Sequence, residues 1–197
     1  TFKDRVTQVA MSPESGEEAA KLGAQMMAFN YKPMEVQKQE YEQYRQSYIK
    51  HHSAEPRPLL LTDMCICDND SARAKENSKY IANYLLSVLH HYDLMGDHYK
   101  EAKGYEAYGD AVDALRETGK EGMMQAYVEG QIWGTPDEML KKFELRRKEM
   151  GRTDCLMAFR FAGMDFEIAQ RSQKLFAEEV MPVLKSWEEE DSANQAA

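Results

Sequence analysis

The segment Met11-Ser12-Pro13-Glu14-Ser15-Gly16 closes an apolar run and opens a helical one. At such a junction the first backbone N–H groups of the helix lack an intrahelical acceptor and carry partial positive charge, which suits a phosphate. Ser12 and Ser15 would add hydroxyl donors. Serine is also a preferred helix cap that needs no ligand, so an anion site and a plain cap both remain open on local chemistry. Phe29-Asn30-Tyr31 ends a second apolar run and is a candidate for the substrate pocket. Arg160 is a charge inside an otherwise apolar run, and a buried arginine needs a partner. Its options are an outward-facing salt bridge to an acidic group or a bound anion.

The histidines fall in two adjacent pairs, His51-His52 and His90-His91, with His98 beyond. Neighbours on a helix point about 100° apart, and none of the five has a metal-ligand spacing, so no metal site is expected. His51 and His52 read as solvated helix ends, whereas His90, His91 and His98 lie where a lid or pocket role stays open. Cys65 and Cys67 project to the same side of a strand-like run. With Cys155 they are too few for a disulfide scaffold and lack the CxxC pairs of a zinc ribbon, so all three read as buried free thiols. Most of the 13 methionines read as core filler. Met26, Met27, Phe29, Met157, Phe159 and Phe161 suit a packed barrel wall. No GxSxG, P-loop, GxGxxG or zinc motif occurs, and spacing alone names no reaction.

The elements that must position these residues alternate strand-length apolar runs with longer helical periods. Residues 5–11 read as a strand, 17–22 as a short helix closed by Gly23, and 24–29 as a second strand. A tyrosine-rich helix covers 33–51, and a third strand covers 59–67. Asp68-Asn69-Asp70-Ser71 offers cap chemistry for a helix reaching about Leu89. Residues 90–130 are glycine-dotted without a sustained period and read as an irregular, lid-like insertion. Thr135-Pro136-Asp137-Glu138 is a capping box that starts a helix ending near Gly151. A fourth strand at 155–161 and a last helix at 165–187 follow, and 188–197 read as a disordered tail. Strands separated by helices imply parallel pairing through right-handed crossovers. Four such strands make a small open sheet or one half of an eight-stranded α/β barrel.

The chain has 197 residues with 25 Lys+Arg against 34 Asp+Glu, a formal charge of −9. That balance argues against nucleic acid or an anionic membrane surface as partner. No apolar run approaches the roughly 20 residues of a membrane-spanning helix, and a cytoplasmic protein is expected.

Trp133-Gly134-Thr135-Pro136-Asp137-Glu138, then Gly163-Met164 and Lys174-Leu175-Phe176-Ala177-Glu178-Glu179-Val180-Met181-Pro182, resemble the C-terminal end of bacterial-luciferase-like flavin monooxygenases. Ser12-Pro13-Glu14-Ser15 with Ala19-Ala20-Lys21-Leu22-Gly23 resembles that family's fifth strand and helix. Asp68-Asn69-Asp70-Ser71-Ala72 resembles the turn after its seventh strand. The resemblance implies a TIM-barrel-type (β/α)8 fold. This chain would supply about the last four βα units as one C-terminal half over 1–187, with the long insertion before the last strand. It also implies reduced FMN, supplied by a flavin reductase, and dioxygen acting on a small organic substrate. The alternatives are an F420-dependent oxidoreductase of the same superfamily and a non-catalytic flavin- or partner-binding half-barrel. By position, the Met11 backbone, Ser12 and Ser15 would contact the flavin phosphate. The family's ring-facing residues come largely from strands with no counterpart here, so no catalytic residue is assigned. A second chain, a missing N-terminal half or a homo-oligomer would complete the barrel.

Overall fold

A computed structural model describes residues 5–93, 96 and 119–196. The chain order is β1 (Thr7–Val9), α1 (Pro13–Leu22), β2 (Gln25–Phe29), α2 (Met34–His52), β3 (Leu59–Cys67), α3 (Ser71–Asn77) and α4 (Lys79–His91). After 94–118 come α5 (Lys120–Gly130), β4 (Ile132–Gly134), α6 (Pro136–Met150), β5 (Thr153–Ala158) and α7 (Phe166–Leu175). A π-helical turn (Phe176–Val180) then leads into α8 (Met181–Ala196). Every strand pair is parallel. The sheet runs β1-β2-β3, with β5 on the far edge of β3.

Among the described residues five strands form where four were expected. The additional one, β4, has only three residues and lies inside the Trp133-Gly134 motif, too short to show a period of two. It takes over the β3 edge where β2 stops. β2 pairs through Phe29 opposite Thr62, and β4 then sets Ile132 opposite Cys65. The last strand begins two residues earlier than expected and ends at Ala158, before Phe161. The helix expected to run from Asp68 to Leu89 is two, separated at Ser78. Part of the segment read as an irregular insertion is regular: α4 continues to His91 and α5 fills Lys120–Gly130. His98 and the lid-like stretch between lie outside the described residues. The final helix continues past Trp187 to Ala196.

The starts of α1 and α6 follow from their sequences. Ser12 and Thr135 each accept from the N3 amide while the N3 side chain, Ser15 or Glu138, returns to the cap amide, with proline opening each helix. Gly23 ends α1 with φ +70°, a left-handed conformation that glycine adopts freely. Side chains of β2 and β3 alternate between two faces. Met26, Ala28, Leu59 and Leu61 pack under α1 and α2 with Ala19, Ala20 and Tyr44. Cys65 and Cys67 continue that face under α6 with Met139 and Phe143. On the other face Met64 and Ile66 meet Ile81, Tyr84, Tyr127 and Met164. All carboxyl ends of the parallel strands open on one rim, so the turns after Val9, Phe29, Cys67, Gly134 and Ala158 gather there.

Candidate functional site

The turn after β1 is held by its own two serines. Ser15 Oγ accepts from the Met11 and Ser12 amides, both at 3.0 Å, and donates to the Ser12 carbonyl at 2.9 Å. Ser12 Oγ accepts from the Ser15 amide at 3.3 Å. The Glu14 carboxylate takes its own backbone N–H and the Ser12 hydroxyl, and these bonds hold it below the ordinary carboxylate range. A glutamate thus supplies the negative charge that this helix start favours. Lys32 Nζ donates to the Met11 carbonyl at 2.9 Å and to Glu40 Oε1 at 2.5 Å. The chemistry of this set fits a phosphate: a hydroxyl, a free-ended amide and a neighbouring ammonium. In this structure the Glu14 carboxylate draws on the Ser12 hydroxyl and the Glu14 amide, the two donors that a phosphate would take. Ser15 has its hydroxyl committed inside the turn and shapes the cradle rather than reaching out of it.

A continuous polar chain joins this turn to the neighbouring strand ends. Gln37 Nε2 donates to the Lys32 carbonyl at 2.7 Å and to Asn30 Oδ1 at 2.9 Å. Asn30 Nδ2 donates to Asp63 Oδ1 at 2.8 Å and to the Gly130 carbonyl, at the end of α5, at 2.7 Å. Gln131 Nε2 donates to the Asn30 carbonyl, and Gln131 Oε1 accepts the Met64 amide at 2.8 Å. Asp63 is fully buried in β3 and receives Arg146 of α6 through two parallel bonds of 2.7 Å. Burial works against charge on Arg146, but the facing carboxylate outweighs it and holds the guanidinium above its ordinary value. Lys142, one turn earlier on α6, donates to the Gln131 carbonyl at 2.9 Å and lies over the Trp133 ring. Burial pushes its ammonium below the usual range.

The structure therefore brings Met11, Ser12, Ser15 and Asn30 into one connected rim, while Phe29 and Tyr31 project from it exposed. Asn30 binds the scaffold on both sides of its amide and serves as a node between β2, β3 and α5. Asp63 is the residue that sequence reasoning passed over. It is an acidic side chain within the apolar run Leu59–Cys67, the same signal that singled out Arg160. Arg146 and Gln131 carry no such signal, since nothing local separates Arg146 from Arg147.

Elsewhere on the rim Asp68 accepts from Arg73 Nε and Nη2, and these bonds hold its carboxyl low. Glu138 is held low by the Thr135 amide and by Ser71 Oγ. Arg160 departs from the salt-bridge expectation. Its Nε donates to the Met164 carbonyl at 3.5 Å and its guanidinium lies over Phe166, with no carboxylate pairing among the described residues. His51 and His52 end α2 on the surface, His51 3.6 Å from Glu17 and His52 Nε2 2.7 Å from the Ala20 carbonyl. Cys65 and Cys67 are buried and free, and burial raises both thiols, Cys67 to about 12. Cys155 corrects the third burial expectation: β5 is an edge strand, so the residue is exposed, with Sγ turned 3.9 Å from Arg146 Nη1. No helix among the described residues is long and apolar enough to cross a membrane.

The sequence matches the luciferase-like monooxygenase family over residues 3–154. No curated protein matches the chain. Among solved structures, a monooxygenase from Streptomyces bottropensis is similar at 20% identity and TM-score 0.61, covering 89% of this chain and 46% of that one. The oxygenating constituent of a 3,6-diketocamphane monooxygenase from Pseudomonas putida, in complex with FMN, is 15% identical with TM-score 0.61. That match covers 90% of this chain and 48% of that one. A coenzyme F420-dependent tetrahydromethanopterin reductase from Methanopyrus kandleri is 17% identical with TM-score 0.55, covering 88% of this chain and 49% of that one. The chain spans about half the length of these structures. It belongs to the luciferase-like monooxygenase family.

Proposed function

We propose that this luciferase-like chain is the C-terminal half-barrel of a flavin-dependent monooxygenase that oxygenates a small organic substrate with reduced FMN and dioxygen. A separate flavin reductase would supply the reduced FMN. The observation that carries the reading is the serine turn at the carboxyl end of β1, with Lys32 on the Met11 carbonyl. The Ser12 hydroxyl and the Glu14 amide would hold the FMN phosphate, with Ser15 and the Met11 backbone fixing the turn. Bound there, FMN would supply the electrons that activate dioxygen. Phe29 and Tyr31 project from the same rim and would form an apolar and aromatic wall for the substrate, with Asn30 holding β2 and α5 around it. Replacing both Ser12 and Ser15 by Ala in the complete enzyme should weaken FMN binding about tenfold or more, the loss expected when a hydrogen bond to a charged group is removed. Unchanged affinity would refute the assignment.

The likeness to an F420-dependent reductase supports a second reading, an oxidoreductase that transfers hydride without oxygen. Reconstitution with FMN and with F420 separates the two, because the visible absorption spectrum of the protein shows which of the cofactors it retains.

A further inference from the structure

We propose that Lys32 is a positioning residue for the phosphate turn: its ammonium polarises the Met11–Ser12 peptide and fixes the two serines without touching the phosphate. The proposal rests on the FMN reading above and assigns a further residue to the same site. Lys32 follows β2, and its Nζ donates to the Met11 carbonyl at 2.9 Å, so the cation meets the turn through backbone. The N–H of that same peptide, on Ser12, donates to Ser15 Oγ at 3.0 Å. The Ser15 hydroxyl donates in turn to the Ser12 carbonyl at 2.9 Å. Hydrogen bonds in such a chain strengthen one another, and a charge at one end orients them all. The Met11 amide is also on Ser15 Oγ at 3.0 Å, so both acceptor positions and the one donor of that hydroxyl are taken. Ser15 therefore has no place for the Ser12 hydroxyl proton. That proton goes to the Glu14 carboxylate here and would go to a phosphate in its stead.

Lys32 is itself held from several sides. Glu40 Oε1 lies 2.5 Å from Nζ, with the two side chains 20% and 19% exposed, and the Tyr31 ring centroid is 5.7 Å away. The Lys32 carbonyl accepts from Gln37 Nε2 at 2.7 Å, and the same nitrogen donates to Asn30 Oδ1 at 2.9 Å. Gln37 is buried, and its Oε1 has no hydrogen-bond partner among the described residues. Turning this amide over would set Oε1 against two other oxygens. Asn30 cannot turn to meet it, because its Nδ2 is engaged by Asp63, which Arg146 holds in turn. The buried Arg146–Asp63 pair thus sets the direction of every amide up to Lys32. An unpaired buried acceptor is unfavourable, and it is tolerated here where the amide nitrogen fixes the Lys32 backbone.

The test compares variants of the complete enzyme: Lys32→Met, which keeps the stem and loses the charge, and Lys32→Arg, which keeps both. The readout is the ratio of riboflavin to FMN dissociation constants. General loosening of the fold leaves this ratio unmoved, because the two flavins differ only in the phosphate. Lys32→Met should lower the ratio about fivefold, and Lys32→Arg should stay within about twofold of the parent. With Ser12 and Ser15 both replaced by Ala, Lys32→Met should lower the ratio no further, since the ammonium then has no turn to act through. Without any flavin, the Ser12 amide of Lys32→Met should exchange its hydrogen about fivefold faster or more, as read by NMR. A parent that binds both flavins equally would overturn the FMN reading and this proposal with it. A parent that prefers FMN would leave that reading standing, and four results would then overturn the proposal alone. These are a ratio unchanged in Lys32→Met, a loss equally large in Lys32→Arg, an added loss in the serine-free background, and a Ser12 amide that exchanges as in the parent.

Discussion

Asp63→Asn leaves Arg146 buried against an amide where it now meets a carboxylate through two bonds of 2.7 Å. Removing one partner of a buried ion pair strands the other charge, at a cost of about 3–5 kcal/mol. Arg146→Met should cost a similar amount, because Asp63 would keep only the Asn30 amide as donor at 2.8 Å. In a chain of this length that lowers the melting temperature by roughly 6–20 °C. The double variant behaves differently. The amide oxygen introduced by Asp63→Asn still accepts from Asn30, the methionine fills the path of the arginine stem, and no charge remains. Its cost should therefore fall to about 1 kcal/mol. Urea unfolding of the four proteins at pH 7, with equal m-values, gives the coupling directly. Singles that cost under about 1 kcal/mol, or a double equal to their sum, would refute the reasoning.

Glu14→Gln should tighten FMN binding several-fold, since the carboxylate on the Ser12 hydroxyl and its own amide competes with the phosphate for both donors; flavin fluorescence titration checks it. Gly134→Ala should cost about 2–4 kcal/mol in urea unfolding, against about 1 for Thr135→Ala. At Gly134 φ is +139° and a Cβ would stand 2.7 Å from Glu138 Oε2, so the variant both strains the backbone and breaks the cap. Asp68 is held below its unfolded value near 4, so its bonds to Arg73 stabilise above that pH and are lost as pH falls through the folded value. Asp68→Asn should accordingly be less stable at pH 7 and lose less stability between pH 5 and 3 than the parent. In the folded protein, alkylation should reach Cys155 and spare Cys65 and Cys67, with all three labelled in urea.

The sequence was most legible where one local rule decides the outcome. The apolar run Leu59–Cys67 is a strand with the boundaries its composition marks, because it is buried on both faces. The capping box at Thr135 starts its helix where the side-chain chemistry requires, whereas the helix read over 17–22 opens four residues earlier, at Pro13, because Ser12 and Ser15 cap each other there. Less was legible where partners lie far apart in the chain. β4 exists because β2 stops short and leaves the end of β3 unpaired, a vacancy no local pattern announces. Arg146 meets Asp63 across 83 residues, and only the charge inside an apolar strand hinted that Asp63 needed such a partner. At the candidate site the serine turn could be read as capped, but its link through Lys32, Gln37 and Asn30 to α5 is made entirely of tertiary contacts.

The most direct measurement on the flavin site is a parallel titration of FMN and of riboflavin, which lacks the phosphate, into the purified protein. If the Ser12–Ser15 turn holds the phosphate, FMN should bind at least about tenfold more tightly than riboflavin, and Ser12→Ala should remove most of that difference. Equal affinities for the two flavins, or a preference that survives Ser12→Ala, would contradict the assignment.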